Sequence, residues 1–288
     1  MSAGASPFRQ MGADRVDPVL VGLWIVLLAL AIIWIAPAVF IVSTSLKSTQ
    51  DVMSGSAFAA PTEFYWQNYA SAWERGRFST TFLNSVVVTF VKVPLGLAFS
   101  AMAAYALSRV RLPGGKLLFT LFVFGTMLPF QVMLAPLFSV VNSIGAINTF
   151  IGLWLPYIAF GVPYQVFILH GFFKEIPEEL SEAAIMDGAS HFTTFRQIFL
   201  PISLPVLAAL FILDFVATWN EFAMALVILL NNRNWTLPLA LMGFQGEFGS
   251  DYGQLNAAIV TTVVPAIVVY LIFQRYFIGG LTAGAVKG

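Results

Sequence analysis

Six long runs of apolar residues divide this chain, and they constrain its fold more than any other feature. Each run holds about 20 residues or more, enough for a helix to cross the roughly 30 Å hydrocarbon core of a bilayer. The first run is longer than the ~7–15-residue apolar core of a signal peptide, so we predict an uncleaved helix there. The sequence thus predicts an all-α polytopic membrane protein with six transmembrane helices. The approximate bounds of the runs are residues 19–42, 82–107, 117–140, 150–169, 202–230 and 255–277.

Composition supports the membrane as the solvent of this chain. Hydrophobic residues make up 59% of the sequence and charged residues 10%, and the mean hydropathy is +0.85. The 28 phenylalanines cannot all be hidden in a soluble core of this size, whereas lipid-facing helices expose apolar side chains in every direction. The net charge is zero and no basic run occurs, which argues against a nucleic-acid partner. The absence of cysteine excludes disulfides, a thiol nucleophile and thiolate metal ligands.

Six crossings place both ends of the chain on one side of the membrane. If that side is the cytoplasm, most of the 14 basic residues lie inside, as the positive-inside rule requires. We therefore predict a cytoplasmic tail over residues 1–18, a transmembrane domain over 19–279 and a cytoplasmic tail over 280–288. The longer connections are external loops at 47–81 and 231–255 and a cytoplasmic loop at 171–201. The basic residues assigned to the cytoplasm are Arg9, Arg15, Arg109, Arg111, Lys116, Lys174, Arg196, Arg275 and Lys287.

The sequence of the predicted cytoplasmic loop, residues 171–201, indicates a helix, a turn and a second helix. Pro177 suits a first helical turn, Gly188 a helix stop and Ser190 the cap of the second helix, while Pro201 marks the bend into the fifth span. The loop is acidic, and its carboxylates could either favour the helix dipole or meet a basic partner surface. The acidic residues are Glu175, Glu178, Glu179, Glu182 and Asp187.

One motif in this loop resembles a known family. The motif consists of Glu182, Ala183, Ala184, Asp187, Gly188, Ile198, Leu200 and Pro201. At this spacing, before the fifth run, it is similar to the EAA loop of permease subunits from binding-protein-dependent ABC importers. The resemblance implies that the loop carries a coupling helix, which sits in a groove on an ATP-binding subunit and transmits its movement to the membrane helices.

Further residues resemble the carbohydrate-uptake group, specifically the maltose-transporter type of second permease. They are Asn68, Tyr69, Trp73, Asn84, Ser85, Ala104 to Ala106, Trp219 to Glu221 and Gly280 to Gly284. This resemblance implies the ABC type I importer permease fold, a sugar or related polyol as solute and the bacterial cytoplasmic (inner) membrane as location.

The same resemblance implies a set of partners. They are a second homologous permease, two ATP-binding cassette subunits and a periplasmic or lipid-anchored solute-binding protein. It also implies that the C-terminal tail, with Gly284 and Lys287, contacts the ATPase subunits, although the small residues there equally fit a frayed terminus.

The sequence predicts no ATPase activity and no metal site in this chain. The nearest approach to a phosphate-binding loop, Pro113 to Leu117, lacks both the upstream glycine spacing and the Ser or Thr after its lysine. ATP and its magnesium ion are therefore expected on the partner subunits, and this chain is expected to be a non-catalytic subunit without a cofactor. His170 and His191 lie far from any carboxylates with metal-ligand spacing.

Ionisable residues inside a span usually face a bundle interior or a watery cavity. Asp214, Thr218 and Glu221 form one helical stripe of the fifth run, which suits either a solute pathway or hydrogen bonds between helices. Lys92 could pair with an acid from another helix or approach the membrane boundary. Further candidates for the solute pathway are Trp219, Asn220, Tyr164 and Gln131.

Two other classes of protein were weighed against the importer. In a stand-alone ion-coupled secondary transporter, Lys92, Asp214 and Glu221 would form an ion path, and transport would not depend on ATP. An intramembrane enzyme would need a convergent nucleophile, base or metal constellation, and the sequence shows none.

Overall fold

The computed structural model describes residues 18–55, 59–244 and 251–285, with only the backbone described at 18, 54 and 275–285. The described part is helical and contains no strand. Its α-helices are α1 (Pro18–Ser45), α2 (Thr49–Ser54), α3 (Gln67–Arg75), α4 (Phe78–Arg109), α5 (Gly115–Thr126), α6 (Leu134–Ser143), α7 (Phe150–Glu175), α8 (Glu178–Met186), α9 (His191–Thr194), α10 (Leu200–Ile202), α11 (Leu204–Trp219), α12 (Ala223–Ile228), α13 (Leu237–Ala240) and α14 (Tyr252–Ala285). Two 3-10 helices, Phe130–Met133 and Leu241–Phe244, and one π-helix, Phe195–Phe199, join them.

Four of the six apolar runs form long continuous helices. Within the described residues, α1, α4, α7 and α14 are each long and apolar enough to cross a bilayer, and the number rises to six if each of two bent helix pairs forms one span. The predicted runs at 19–42, 82–107, 150–169 and 255–277 fall inside these four helices. The prediction of apolar helices is therefore confirmed for these runs.

The other two runs are broken, which the sequence analysis did not predict. In the third run α5 meets the segment Phe130–Ser143 at an angle of 94°. Pro129 has extended backbone angles (φ −68°, ψ 114°), and a proline also disfavours helical geometry in the residue before it. In the fifth region His191–Ile202 meets α11 at 75°, so the bend falls at Ser203, two residues after the predicted Pro201.

The fifth run breaks a second time after α11. The predicted span 202–230 ends its first helix at Trp219, and the backbone leaves helical geometry at Phe222 (φ −120°, ψ −43°) before α12 begins. The run is therefore two helices with an interruption between them.

Contacts between helices fix their relative directions. The indole nitrogen of Trp154, near the start of α7, donates a hydrogen bond of 3.1 Å to the carbonyl of Val88 in the first third of α4. At the other end, Arg109 of α4 donates to the carbonyl of Phe173 in α7. The two helices thus run in the same direction, so the bent third run returns the chain from one end of the bundle to the other.

Helix α11 runs opposite to α4. The ring of Trp219, at the end of α11, lies 5.9 Å from that of Phe82 at the start of α4, whereas Phe199, before α11, lies 5.0 Å from Tyr105 near the end of α4. Helix α1 packs on α14 and leaves most of its apolar side chains exposed, as a helix facing lipid or another membrane subunit does.

A glycine allows the start of α7 to pack against the preceding loop. A Cβ atom on Gly152 would lie 2.2 Å from the backbone carbonyl oxygen of Ala146, a contact that real Cβ atoms do not make. The backbone would have to shift to admit any side chain at this position.

We expect Gly152→Ala to lower the melting temperature of the detergent-solubilised protein, because the added methyl group collides with the carbonyl of Ala146. The matched control is Gly171→Ala in the same helix, where a Cβ meets nothing within 4 Å. Alanine there should be neutral or stabilising, by up to about 1 kcal/mol. Thermal unfolding monitored by size-exclusion chromatography makes the comparison, and equal midpoints for the two variants would contradict it.

Candidate functional site

Helices α4, α7 and α11 enclose a polar cavity next to the break in the third run. Its volume is about 260 Å³. A larger hollow of about 510 Å³ lies between α1 and residues 60–64, but no charged residue lines it. The smaller cavity is therefore the better candidate for chemistry. It is lined by Lys92, Phe130, Tyr157, Phe160, Gly161, Tyr164, Leu213, Asp214, Ala217, Thr218 and Glu221.

A buried ion pair forms one wall of the cavity. The ammonium group of Lys92 on α4 donates to Oδ1 of Asp214 on α11, and the side chains are 4% and 11% exposed. The structure thereby decides between the two alternatives for Lys92, because it pairs with an acid from another helix. Pairing neutralises two charges that would each be costly inside a membrane. The second carboxylate oxygen of Asp214, Oδ2, is buried and has no hydrogen-bond partner in the described part of the chain.

Two glycines let the third helix approach this pair. A Cβ on Gly161 of α7 would lie 3.2 Å from Nζ of Lys92, and one on Gly96 of α4 would lie 3.7 Å from Oε1 of Gln165. The same Gln165 oxygen accepts a hydrogen bond of 2.7 Å from the hydroxyl of Ser100. Small residues at helix crossings in membranes permit such close contact between backbones and polar side chains.

Glu221 has a local structural role as well as a position on the cavity wall. Its carboxylate accepts hydrogen bonds from the backbone N–H groups of Met224 (2.7 Å) and Ala225 (3.1 Å), and from the hydroxyl of Tyr157. The first N–H groups of a helix have no partner within the helix, and an acidic group there is stabilised by the helix dipole. Glu221 therefore caps α12 where the fifth run is interrupted.

The structure brings four of the seven candidate solute-pathway residues together. Asp214, Thr218, Glu221 and Tyr164 all line the cavity. The signal in the sequence was the helical stripe of polar residues in α11.

The other three candidates lie outside the cavity. Trp219 is buried on the far side of α11 and donates to the carbonyl of Thr262 at 3.0 Å. Asn220 is exposed and bonds to the carbonyl of Val216 at 2.9 Å, and Gln131 is exposed on the 3-10 helix. Sequence reasoning missed the apolar lining, because a phenylalanine in an apolar run gives no signal that separates a cavity wall from a lipid-facing surface.

The loop between α7 and α11 folds as the sequence predicts, as a helix, a turn and a second helix. Helix α8 stops at Gly188, which has φ +81°, and the N–H of Ala189 bonds to the carbonyl of Ala184 at 2.9 Å. These are the features of a Schellman stop, which glycine satisfies without strain. The hydroxyl of Ser190 then accepts from the N–H of Thr193 at 3.2 Å and caps α9.

One surface of α8 is open to solvent and acidic. Its carboxylates and several apolar side chains are exposed, while within the chain the helix packs mainly on α9. Met186 is 86% exposed, which is unusual for an apolar side chain unless another surface covers it. The exposed residues of this surface are Glu178, Glu179, Glu182, Ala183, Ile185, Met186 and Asp187.

An aromatic cluster joins the loop to the membrane helices. Phe199 of the π-helix lies 5.0 Å from Tyr105 of α4 and 5.5 Å from Phe173 of α7, measured between ring centroids. The guanidinium of Arg109 lies over the ring of Phe199 at 5.2 Å. We call these four residues the aromatic joint. Ile198 and Leu200 are partly buried against it, whereas Pro201 is exposed.

Arg109 also ties the end of α4 to the end of α7. It donates to the backbone carbonyls of Phe173 and Ile176, in the last turn of α7 and just after it. Carbonyls at a helix C-terminus have no partner within the helix, and a cation there is stabilised by the helix dipole. No sequence signal pointed to this role.

Two remaining predictions concern the tail and metals. The backbone of Gly284 belongs to α14, and Lys287 lies outside the described residues. Among the described residues, no group of three or more His, Cys, Asp or Glu side chains could hold a metal ion. His170 instead stacks on Phe119, with 4.0 Å between ring centroids.

Long apolar helices, an exposed acidic loop between two of them and ionisable side chains that line a cavity among the helices are typical of a membrane transport protein. Residues 96–281 match the family of binding-protein-dependent transport system inner membrane components, and the chain belongs to that family. The resemblance to ABC importer permeases is thereby confirmed.

Curated relatives cover nearly the whole chain. The probable ABC transporter permease protein YurM of Bacillus subtilis is 36% identical over 92% of this chain and 88% of its own length. The trehalose transport system permease protein SugB of Mycobacterium tuberculosis is 36% identical over 96% of this chain and 100% of its own length. This chain is accordingly a multi-pass membrane permease of an ABC importer.

A solved structure shares the fold. One chain of a bacterial ABC transporter involved in the import of the acidic polysaccharide alginate superposes with a TM-score of 0.80, at 24% identity, over 93% of this chain and 100% of that chain. The ABC importer permease fold is therefore shown.

We expect Lys92→Met alone to destabilise the protein by about 3–5 kcal/mol, because it leaves the carboxylate of Asp214 buried without its partner. The double variant Lys92→Met/Asp214→Asn removes both charges and should recover most of that loss. Thermal unfolding of the original protein and the two variants measures the effect. A double variant no more stable than Lys92→Met would contradict an ion-pair role for these residues.

We expect Arg109→Met to reduce ATP-driven transport more than it reduces assembly, since the bonds from the end of α4 to the end of α7 are lost. Arg109→Lys can still reach one carbonyl and should keep an intermediate activity. The measurement is the ratio of ATP hydrolysed to solute transported. A folding defect alone lowers ATP hydrolysis and transport together and leaves this ratio unchanged, whereas a loss of coupling raises it.

Proposed function

We propose that this chain is one of two homologous permease subunits of an ABC importer that carries a sugar or related polyol across the bacterial cytoplasmic membrane. The observation that carries this proposal is the exposed acidic α8, which the aromatic joint connects to the spans of a chain in the importer family. The solute class is supported by the names of relatives, which include permeases for trehalose and, in Streptomyces coelicolor, diacetylchitobiose.

In the proposed topology both ends of the chain are cytoplasmic and each broken run counts as one span. The directions of three helices support this arrangement. Helices α4 and α7, the second and fourth spans, run in the same direction, and α11, in the fifth span, runs in the opposite direction, as six crossings require. It places residues 1–18, 171–201 and 280–288 in the cytoplasm and 47–81 and 231–255 outside.

The chain itself supplies no catalysis in this proposal. Two partner subunits bind ATP with magnesium and hydrolyse it, and α8 fits a groove on one of them, where its carboxylates meet basic side chains. A periplasmic or lipid-anchored binding protein delivers the solute from the external side. One solved relative of the fold is described in complex with an alginate pentasaccharide-bound periplasmic protein, which supports such a partner.

Movement of α8 reaches the cavity along continuous contacts. The loop presses on the aromatic joint, and the joint is built on α4 and α7, the helices that also form the cavity. Lys92 and Arg109 lie on the same helix, about 25 Å apart at 1.5 Å per residue. Because α4 is continuous over this length, it can carry a displacement at the loop to the solute site.

The cavity is the proposed solute-facing surface. Asp214, Thr218, Glu221 and Tyr164 supply oxygen atoms that can bond to hydroxyl groups, and the aromatic rings beside them suit the apolar faces of sugar rings. An ion-coupled secondary transporter is disfavoured by family membership and because Lys92 and Asp214 already neutralise each other.

We expect Glu182→Lys and Gly188→Arg to abolish the stimulation of ATP hydrolysis by solute-loaded binding protein, because both change the exposed surface of α8 and its stop. The complex reconstituted in lipid is the sample, and subunit stoichiometry is measured in parallel. The matched control is Glu74→Lys, the same charge reversal on an exposed residue of α3, which precedes the start of α4 at the end of the bundle away from α8. Solute flux that persists without ATP or partner subunits would refute the proposal.

A further inference from the structure

The cavity between α4, α7 and α11 has a charge distribution that bears on what it can bind. One lysine and two carboxylates line it, which leaves a formal charge of −1. The positive charge of Lys92 is already neutralised by the carboxylate of Asp214. Among the residues lining the cavity there is no further cation, so an anionic group would meet the carboxylate of Glu221, for which the lining supplies no counter-charge.

The polar atoms left available are those that bind hydroxyl groups. The hydroxyl groups of Tyr164 and Thr218 line the cavity and make no hydrogen bond within the described residues, whereas Oδ2 of Asp214 is buried and out of reach of a ligand. Glu221, by contrast, already accepts from three donors. Two free hydroxyl groups on the cavity wall match neighbouring hydroxyls of a polyol, because each hydroxyl can both donate and accept.

The apolar part of the lining sets the shape of the ligand. Phe130 and Phe160 pack edge to face with 5.3 Å between ring centroids, and Tyr157 and Tyr164 lie on the same side of the cavity. Aromatic surfaces of this kind cover the apolar face of a sugar ring. The volume of about 260 Å³ falls below the ~300–1,000 Å³ of pockets for drug-sized ligands, so it suits a single ring.

We infer that this cavity binds one uncharged polyhydroxylated ring, through Thr218 and Tyr164, and disfavours anionic solutes. The inference rests on the proposed function, because it names the solute class of the same cavity. It separates this chain from the alginate transporter, whose fold it shares and which imports an acidic polysaccharide. The common fold does not decide the charge of the solute, whereas the lining residues do.

The complete absence of cysteine from this chain allows a direct test by thiol labelling. In the reconstituted complex, Ala217→Cys places a thiol on the cavity wall, and Met53→Cys, at a side chain that is 83% exposed, serves as the open reference. Each is labelled with methanethiosulfonates carrying a neutral hydroxyethyl, an anionic sulfonatoethyl or a cationic trimethylammonioethyl group. Labelling is measured on the separated chain, with and without ATP.

We expect the ratio of anionic to neutral labelling rates at Ala217→Cys to be about tenfold lower than at Met53→Cys, a factor equivalent to roughly 1.4 kcal/mol. Asp214→Asn frees the charge of Lys92 and should raise the ratio. Glu221→Gln should raise it independently, which keeps the test valid if Asp214→Asn does not assemble. Glu74→Gln, which neutralises an exposed carboxylate of α3, should leave it unchanged. Millimolar glucose should slow labelling and glucuronate should not.

Each contrary result overturns a distinct statement. Equal anionic and neutral rates would refute the charge selectivity while keeping the cavity in the solute pathway. Protection by choline but not by glucose would assign the cavity to a cationic ligand. A cysteine at position 217 that no reagent reaches in any nucleotide state would refute both this inference and the solute pathway proposed above.

Discussion

Neutralisation of charge inside the bilayer is the constraint on which the arrangement of the central helices depends. Lys92 or Asp214, left unpaired at membrane depth, would destabilise the fold by several kcal/mol. Apolar helix faces, by contrast, gain little from packing on one another, because the lipid tails around them are equally apolar. The pair therefore fixes α4 against α11 at one level along both helices. At the same level Gly96 and Gly161 admit α7 closely enough for its polar side chains to join the contact. The position of the cavity follows from this crossing of three helices.

The interruptions of the helices have a related origin. Backbone that is not helical leaves N–H and C=O groups without partners, and at membrane depth such backbone is tolerated where it lines a cavity or is buried in protein. The break in the third run places Phe130 on the cavity wall, and the break after α11 places Glu221 there. Glu221 then supplies the acceptor that the first N–H groups of α12 lack. The same cavity thus borders both breaks.

The sequence predicted what is local and missed what depends on distant contacts. The apolar runs, the stop of α8 at Gly188 and the cap of α9 at Ser190 could be predicted, because each depends only on neighbouring residues. The partner of Lys92 could not be predicted, since Asp214 lies 122 residues away in the sequence. The role of Arg109 was missed for the same reason, because its acceptors are backbone carbonyls that exist only once α7 has packed beside α4.

These contacts also limit how the spans can move during transport. The aromatic joint binds the loop to α4 and α7, and the ion pair binds α4 to α11. Independent motion of α4 and α11 would separate Lys92 from Asp214 inside the membrane, at a cost comparable to much of the stability of a domain. The three helices are therefore expected to move as one body. Access to the cavity must then change at elements outside this group, namely the bent third run and the surface that faces the second permease.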